Sequence, residues 1–463
     1  WPASTGPWPT PSWRRQRGDT MLKRIDGRED TSEACIAIKD AVFPGIFYDG
    51  LQYTPPARGT WNIVHTNMLV PDSHQIYICA LGCLRGVVLT AAEMGAMERF
   101  SSIVVEEHHL YDGTMEDCIV DGVGEILQGL LPQVPKACFI YPACIHHFMG
   151  CDMDDVYRRL EEAYPQTRFV ACWMDPIRRH SDLTAEMRTR RQLYSLLEKG
   201  PINPKSVNIV GSNLAVPQDC ELALLLKQNG FILRELPVCK TYEDYEKMAE
   251  SILNIGQEPY ARGPLEDMER ELGQKGLYLS NSFGYDEIIA NLHAVADALQ
   301  LPRQSYDREV EQCEQAFAAA RDIIGSMPVA IDSAAVFRPF SLAKTLLQHG
   351  FAVRRVYTDG VSGEDGDDFF WVQEHYPDLE LYSMRHAKMR RIDRHTDVPM
   401  LAIGQKAAYF TGTAHFVDMA ENGGLRDFRG IRTLLDWMTE AFQTEKEARE
   451  SINLKGWGCR SCV

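Results

Sequence analysis

Short β-branched runs that alternate with longer amphipathic segments predict an α/β fold on parallel sheets. A strand–turn–helix–strand unit that occurs twice predicts that the fold is repeated. The strand candidates are 103–106, 137–141, 168–173, 206–210, 277–280, 329–331, 353–357 and 400–403. Helical periodicity falls between them, at 115–131, 153–164, 220–228, 285–299 and 308–324. The repeated unit is VNIVGSNLAVPQDCELALLLKQNGFILREL (207–236) and, later, VAIDSAAVFRPFSLAKTLLQHGFAVRRVYTD (329–359). Each reads as strand, Ser-bearing turn, proline, helix, Gly-Phe and strand, and Gly230 and Gly350 fall where a helix C-cap needs a left-handed residue. Duplication explains the echo, and so does the common outline of any two units on a doubly wound sheet.

A chain of 463 residues is too long for one core. We expect two to three Rossmann-like domains: an N-terminal α/β domain over 31–200, a middle one over 201–325 and a C-terminal one over 326–445. A tail, 446–463, follows. The turn at Gly211 lacks GxGxxG, so no dinucleotide fingerprint is present. Residues 1–30, rich at first in proline, serine and arginine, have no apolar h-region. They are expected to be disordered or to precede the native start, for which Met21 is a candidate.

The apolar share of 45% and charged share of 24% are those of a globular protein, and no apolar run reaches eighteen residues. A net charge of −17 disfavours nucleic acid or an anionic membrane as main partner, and points instead to a small molecule, a metal centre or a basic docking surface. The thirteen cysteines are an odd number without a secretion signal, which suits reduced thiols in the cytoplasm better than a disulfide framework. Cys118 and Cys313 sit in helical patterns and Cys138 in a strand, as core residues do.

The sharpest local signal is FIYPACIHHFMGCDMDD (139–155). A buried strand runs into a loop with Cys144 and two histidines, then into a helix start that Asp152 caps. Cys144 thus stands where parallel sheets bind ligands, outside the strand's carboxyl end. Soft thiolates hold iron–sulfur clusters, which need about four of them. A second signal is Cys79-Ala-Leu-Gly-Cys83-Leu-Arg85, although CxxxC alone fits two core cysteines better than a ligand pair. Arg85 would lower a nearby thiol pKa or balance a cluster's charge. Cys35, in SEACIAIKD, is a third candidate. His65, His108 and His109 read as loop or hydrogen-bonded core residues, and no HExxH spacing supports a zinc hydrolase. Cys459 and Cys462 form a CxxC that suits a redox pair, a metal clip or cluster delivery.

The strand leading to Cys144, Gly150 and Asp152 resembles the nitrogenase component-1 superfamily. That group includes the molybdenum–iron protein, its assembly scaffold and dark-operative protochlorophyllide reductase subunits. Cys144 takes a cluster-ligand position, while Cys151 stands where an aspartate is usual. The family's His-Gly-Pro-x-Gly-Cys turn is matched by His65 to Val70, with valine at the ligand position. Cys79 or Cys83 would then supply the missing sulfur, and Cys35 lies in the region of the family's first ligand. The segments GSNLAVPQDCELALLLKQNGF, GLYLSNSFGYDEIIANL and LAIGQKAAYF to FRGIRTLLDWM follow the family's domain pattern, so the resemblance covers roughly 30–443.

The resemblance implies a [4Fe-4S] or larger bridged cluster on Cys35, Cys79, Cys83 and Cys144, in the N-terminal domain. It also implies a second component-1-like subunit, self or paralogue, that shares the cluster at the interface. Electrons would come from an iron-protein-like ATPase reductase. This chain has no GxxxxGK[ST], so ATP would act only through that partner. The family's large cofactor is held by a cysteine in the middle domain and a C-terminal histidine. No cysteine lies at 253–260, and His415 is the nearest C-terminal histidine, so that cofactor is not expected. The expectation is the catalytic component of a nitrogenase-like, ATP-dependent reductase of a small, unassigned substrate. A metallocluster scaffold or carrier is the alternative, and a metal-free α/β binding protein is the third reading.

Overall fold

The computed structural model describes residues 32–47, 52–55, 57, 63–174, 185–394, 396 and 398–446. The expected N-terminal segment 1–30, and Cys459 and Cys462, lie outside the described residues. No helix of the described residues is long and apolar enough to cross a membrane.

Three sheets organise the chain. The first holds β2 (Ser73–Cys79), β3 (Phe100–Val104), β4 (Ala137–Pro142) and β5 (Arg168–Ala171), in the order β3-β2-β4-β5. The second holds β6 (Asn203–Ile209), β7 (Ile232–Glu235), β8 (Ser251–Gly256) and β9 (Lys275–Tyr278), in the order β7-β6-β8-β9. The third holds β10 (Val329–Asp332), β11 (Val353–Tyr357), β12 (Glu380–Tyr382), β13 (Leu401–Ile403) and β14 (Phe416–Val417), with β1 (Cys35–Ala37) antiparallel at its edge. Apart from β1, every pairing is parallel.

Stripped of β1 and β12, the three sheets share one strand order. The first strand of each unit sits inside, its second lies to one side, and its third and fourth lie to the other. The repeat is therefore threefold, with the first sheet included. Its signature at the two legible copies is a matched helix stop. Gly230 and Gly350 have φ of 71° and 82°. The next residue, Phe231 or Phe351, donates its N–H to the carbonyl of Leu226 or Leu346. Only a residue that tolerates positive φ closes the helix this way.

Central strands are buried on both faces because helices cover both. Every residue of β2 and β4 is buried. One face of the first sheet packs Ile76, Ile78 and Ile140 on helices Met115–Gly129 and Met153–Ala163. The other packs Tyr77, Phe139 and Tyr141 in a cluster that continues into Tyr245, Leu265 and Met268 of the middle unit. The middle and third sheets share a further cluster, filled by helices Tyr285–Ala298, Asp307–Ile324 and Asp427–Gln443. Each such fully buried aliphatic or aromatic side chain contributes roughly 1.5–3 kcal/mol, so three units cohere as one body.

β1 departs from the sequence expectation. A domain boundary at 31 groups Cys35 with the first sheet, yet Cys35 pairs with Tyr382 on the third. Ile38 behind it is buried in the cluster shared by the second and third sheets. The pairing joins residues more than three hundred apart, which local pattern does not encode.

Candidate functional site

In a doubly wound sheet the crevice opens where neighbouring strands send their crossovers in opposite directions, outside their carboxyl ends. Here those points lie between β2 and β4, β6 and β8, and β10 and β13. At two of the three, glycines let the chain pack closely against itself. A methyl group at Gly211, after β6, or at Gly256, ending β8, would collide with Ala261. One at Gly404, after β13, would collide with the Asp332 carboxylate. That carboxylate accepts N–H groups from Ala334, Ala335 and Ala407, at 2.8–3.0 Å. Beside these contacts, the carboxyl edges of the second and third sheets are tied by buried ion pairs. Arg426 reaches Glu258 at 2.7 Å and Gln257. Arg190 donates to the Gly211 carbonyl at 2.6 Å, and its guanidinium lies 3.7 Å from Glu421.

The first point instead carries thiols. Cys79 is the last residue of β2, Cys83 ends the short turn after it, and Cys144 opens the helix after β4. β2 and β4 are hydrogen-bonded neighbours, and Ala143 donates to the Ile78 carbonyl at 3.1 Å, so all three leave one edge. Cys79 is buried, Cys144 half-buried and Cys83 exposed. Burial, with smaller contributions from the nearby Cys83 and Cys144, pushes the Cys79 thiol up to about 12. Cys79 therefore stays protonated until a cation replaces the proton. Arg85, beside Cys83 in the chain, is exposed.

Local geometry explains the position of Cys144. Gly150, at φ 68°, ends its helix. The next helix starts at Met153 with Asp152 as cap, its carboxylate accepting the Asp155 N–H at 3.1 Å. His146 is buried with Nδ1 3.1 Å from the Ala143 carbonyl. His147 stacks on Trp173 at 3.7 Å. Cys151 turns away and donates to Met115 Sδ at 3.7 Å. The elements that carry the thiols also expose apolar side chains: Leu81 is 71% exposed, Phe148 69% and Met149 49%.

Other sequence candidates lie elsewhere. Cys35 is half-buried on the third sheet and hydrogen-bonded to Tyr382, with burial raising its pKa. Val70 is fully buried before β2, at the end of the strand away from the thiols, a separation of roughly 20 Å at a strand's rise per residue. Its carbonyl accepts from Arg99 at 2.5 Å. His65 is buried in helix Ile63–Asn67. The His108 and His109 rings lie 3.9 Å apart, tilted by 36°, beyond β3, where His109 Nδ1 accepts the Glu106 N–H at 3.0 Å. His415 faces the Ala441 carbonyl at 3.0 Å, before β14 and so at the amino edge of the third sheet.

A site not foreseen is a cavity of about 370 Å³ at the carboxyl ends of β10–β12, lined by Ser333, Phe337, Thr358, Met384, Arg385 and Lys406. Its sequence signal was the Ser-bearing turn after 329–331. Arg385 pairs with Asp359 across its wall at 3.1 Å.

The model of nitrogenase component 1 type oxidoreductases matches residues 71–442. This chain belongs to that family. The solved structure described as nitrogenase Cp1 at pH 6.5 superposes with a TM-score of 0.65 at 14% identity, covering 88% of this chain and 95% of that one. Nitrogenase Cp1 at pH 5 gives 0.57 at 12% identity, covering 89% and 94%. No curated protein matches the chain. The likeness establishes the component 1 type fold, mixed α/β with several parallel sheets. The described residues bring no three His, Cys, Asp or Glu side chains into a metal-holding group. The donor chemistry at the first crevice nevertheless suits a soft metal: three thiols, one of which only a cation would deprotonate. A cluster that takes about four sulfurs would need at least one from outside these three.

Proposed function

We propose that this chain is the catalytic component of a nitrogenase-like, ATP-dependent reductase, working in the cytoplasm on a small substrate. In this reading Cys79, Cys83 and Cys144 hold an iron–sulfur cluster, and a second component-1-like subunit supplies the remaining sulfur. The observation that carries it is that Cys79, Cys83 and Cys144 all leave the carboxyl edge of the paired strands β2 and β4, with Cys83 and Cys144 close enough to Cys79 to raise its pKa. Bound there, the cluster would supply low-potential electrons.

The chain's own residues do the rest. β2 and β4 fix the spacing of Cys79 and Cys144, and the Gly150 stop and Asp152 cap fix the turn after Cys144. Leu81, Phe148 and Met149 exclude water once a partner covers them. An iron-protein-like ATPase would dock over that interface and deliver electrons, since this chain has no ATP motif of its own. The cavity of about 370 Å³ on the third sheet is of substrate size, with Arg385 and Lys406 to orient an acidic or carbonyl group. Cys35 does not join the thiols within this chain, and its substitution is the control.

A non-catalytic scaffold or carrier remains the second reading, favoured by the buried ion pairs that fill the meeting point of the second and third sheets. ATP- and reductase-dependent turnover of a substrate by the iron-loaded protein separates the two. Reduction supports the enzyme. Transfer of iron and sulfide to an acceptor apoprotein, without turnover, supports the scaffold.

A further inference from the structure

At the end of the first sheet opposite the thiols lies a larger cavity, about 770 Å³, walled by the first unit and by 237–240 of the middle unit. Its volume falls in the ordinary range for sites of small organic ligands, and domain boundaries are where such sites concentrate. Its floor is built. Asp72, at the turn before β2, accepts the Lys136 N–H on its carbonyl at 2.9 Å and the Tyr242 N–H on its carboxylate at 3.2 Å. One residue thus ties both walls.

The charges are unevenly matched. Arg99 is held under the cavity by neutral oxygens: the carbonyls of Ser73 (2.9 Å), Met68 (3.0 Å) and Val70 (2.5 Å), and Ser73 Oγ (2.8 Å). Among the described residues no carboxylate bonds to it. Lys136 and Lys240, one on each wall, make no side-chain hydrogen bond or ion pair among the described residues. Against these three cations stand Asp72 and Glu98. His74 is kept neutral, pushed down to about 4 by burial and by Arg99. A cavity with a net positive lining is out of character for a chain of net charge −17. The remaining wall, Met68, Leu69, Leu130 and Val134, is apolar.

We infer that this cavity binds an amphipathic organic anion, with its carboxylate or phosphate between Lys136 and Lys240 and its apolar body against Leu69, Leu130 and Val134. Such a ligand bridges the first and middle units far from the thiol crevice, as an effector would. The inference stands independently of the cluster.

Titration calorimetry of the full chain with phenyl phosphate and with phenylacetate tests it, with neutral benzyl alcohol as control. We expect at least one anion to bind at millimolar concentration or tighter, and to raise the melting temperature. Binding by phenyl phosphate alone or phenylacetate alone identifies the head group. The double variant Lys136→Ala/Lys240→Ala should weaken binding at least ten-fold and leave the melting temperature without probe unchanged, because both lysines are exposed. Absence of binding by both anions, equal binding by the double variant, or equal binding of benzyl alcohol would overturn the inference.

Discussion

At the scale of single residues, the three thiols differ in what they contribute to the fold. Cys83 is exposed and Cys144 half-buried, so Cys83→Ser and Cys144→Ala should each lower cluster iron while shifting the melting temperature little. Cys79 is buried at the end of a central strand. Cys79→Ser should lose iron and also cost about 1–3 kcal/mol, because a hydroxyl replaces a thiol in an apolar site. Cys35→Ala should leave iron content unchanged. Iron analysis alongside melting curves checks all four. Cys144 was legible in the sequence because its strand, glycine and capping aspartate are local. The neighbourhood of Cys35 was not legible, because long-range pairing with Tyr382 decides it. Val70 looked like a substituted ligand, but it stands at the amino end of β2, where its carbonyl serves Arg99.

At the scale of elements, β2 was the strand the sequence hid. SHQIYIC begins with three polar residues, which blur the apolar run of a central strand. Each is satisfied by a tertiary partner: Ser73 by the Val70 carbonyl (2.7 Å), His74 by Ser101 (2.7 Å), Gln75 by the Val64 carbonyl (3.0 Å). β8 is masked in the same way by Asn254, which accepts from Asn208 at 2.7 Å. The five helices bounded from sequence, whose periodicity is local, match to within a residue or two. Two helices clasp each other by their starts. Asp427 accepts the Leu222 N–H at 2.9 Å, and Glu221 accepts the Arg429 N–H at 3.1 Å. Burial raises the Asp427 carboxyl to about 6. The folded state then holds this proton more tightly than the unfolded chain. Its contribution to stability is full below about pH 4, falls as pH rises, and is gone above about 6. Urea midpoints between pH 4 and 7 should decline, and Asp427→Asn should flatten that decline. An equal slope in the variant would refute the clasp's titration.

At the scale of the whole molecule, three copies of one strand order have been put to different uses. The first crevice carries thiols, at the second Ala261 packs against Gly211 and Gly256, and at the third the Asp332 carboxylate packs against Gly404 beside a cavity. Only two copies were legible in sequence, since the first makes the same helix stop with Gly95 and Ala96, without the phenylalanine that marks the other two. The middle and third units are locked where they meet by Arg426 with Glu258, and Arg190, on the helix before β6, pairs with Glu421 of the third unit. Removing one member of such a buried pair strands the other, so Arg426→Ala should cost about 3–5 kcal/mol in denaturant unfolding, and Arg426→Met with Glu258→Leu should cost less. The exposed apolar side chains on the thiol-bearing elements ask for a partner. Leu81→Asp with Phe148→Asp should convert a dimer to a monomer by light scattering, and an unchanged mass would place the interface elsewhere.

The central claim is that the first crevice binds a cluster through Cys79, Cys83 and Cys144. Its most direct test is iron and acid-labile sulfide in the full chain, purified without oxygen from a host that makes such clusters, beside Cys144→Ala. Stoichiometric iron and sulfide in the parent, largely lost in the variant, is the expected result. Metal-free parent protein, or a variant that keeps its iron, would contradict the assignment.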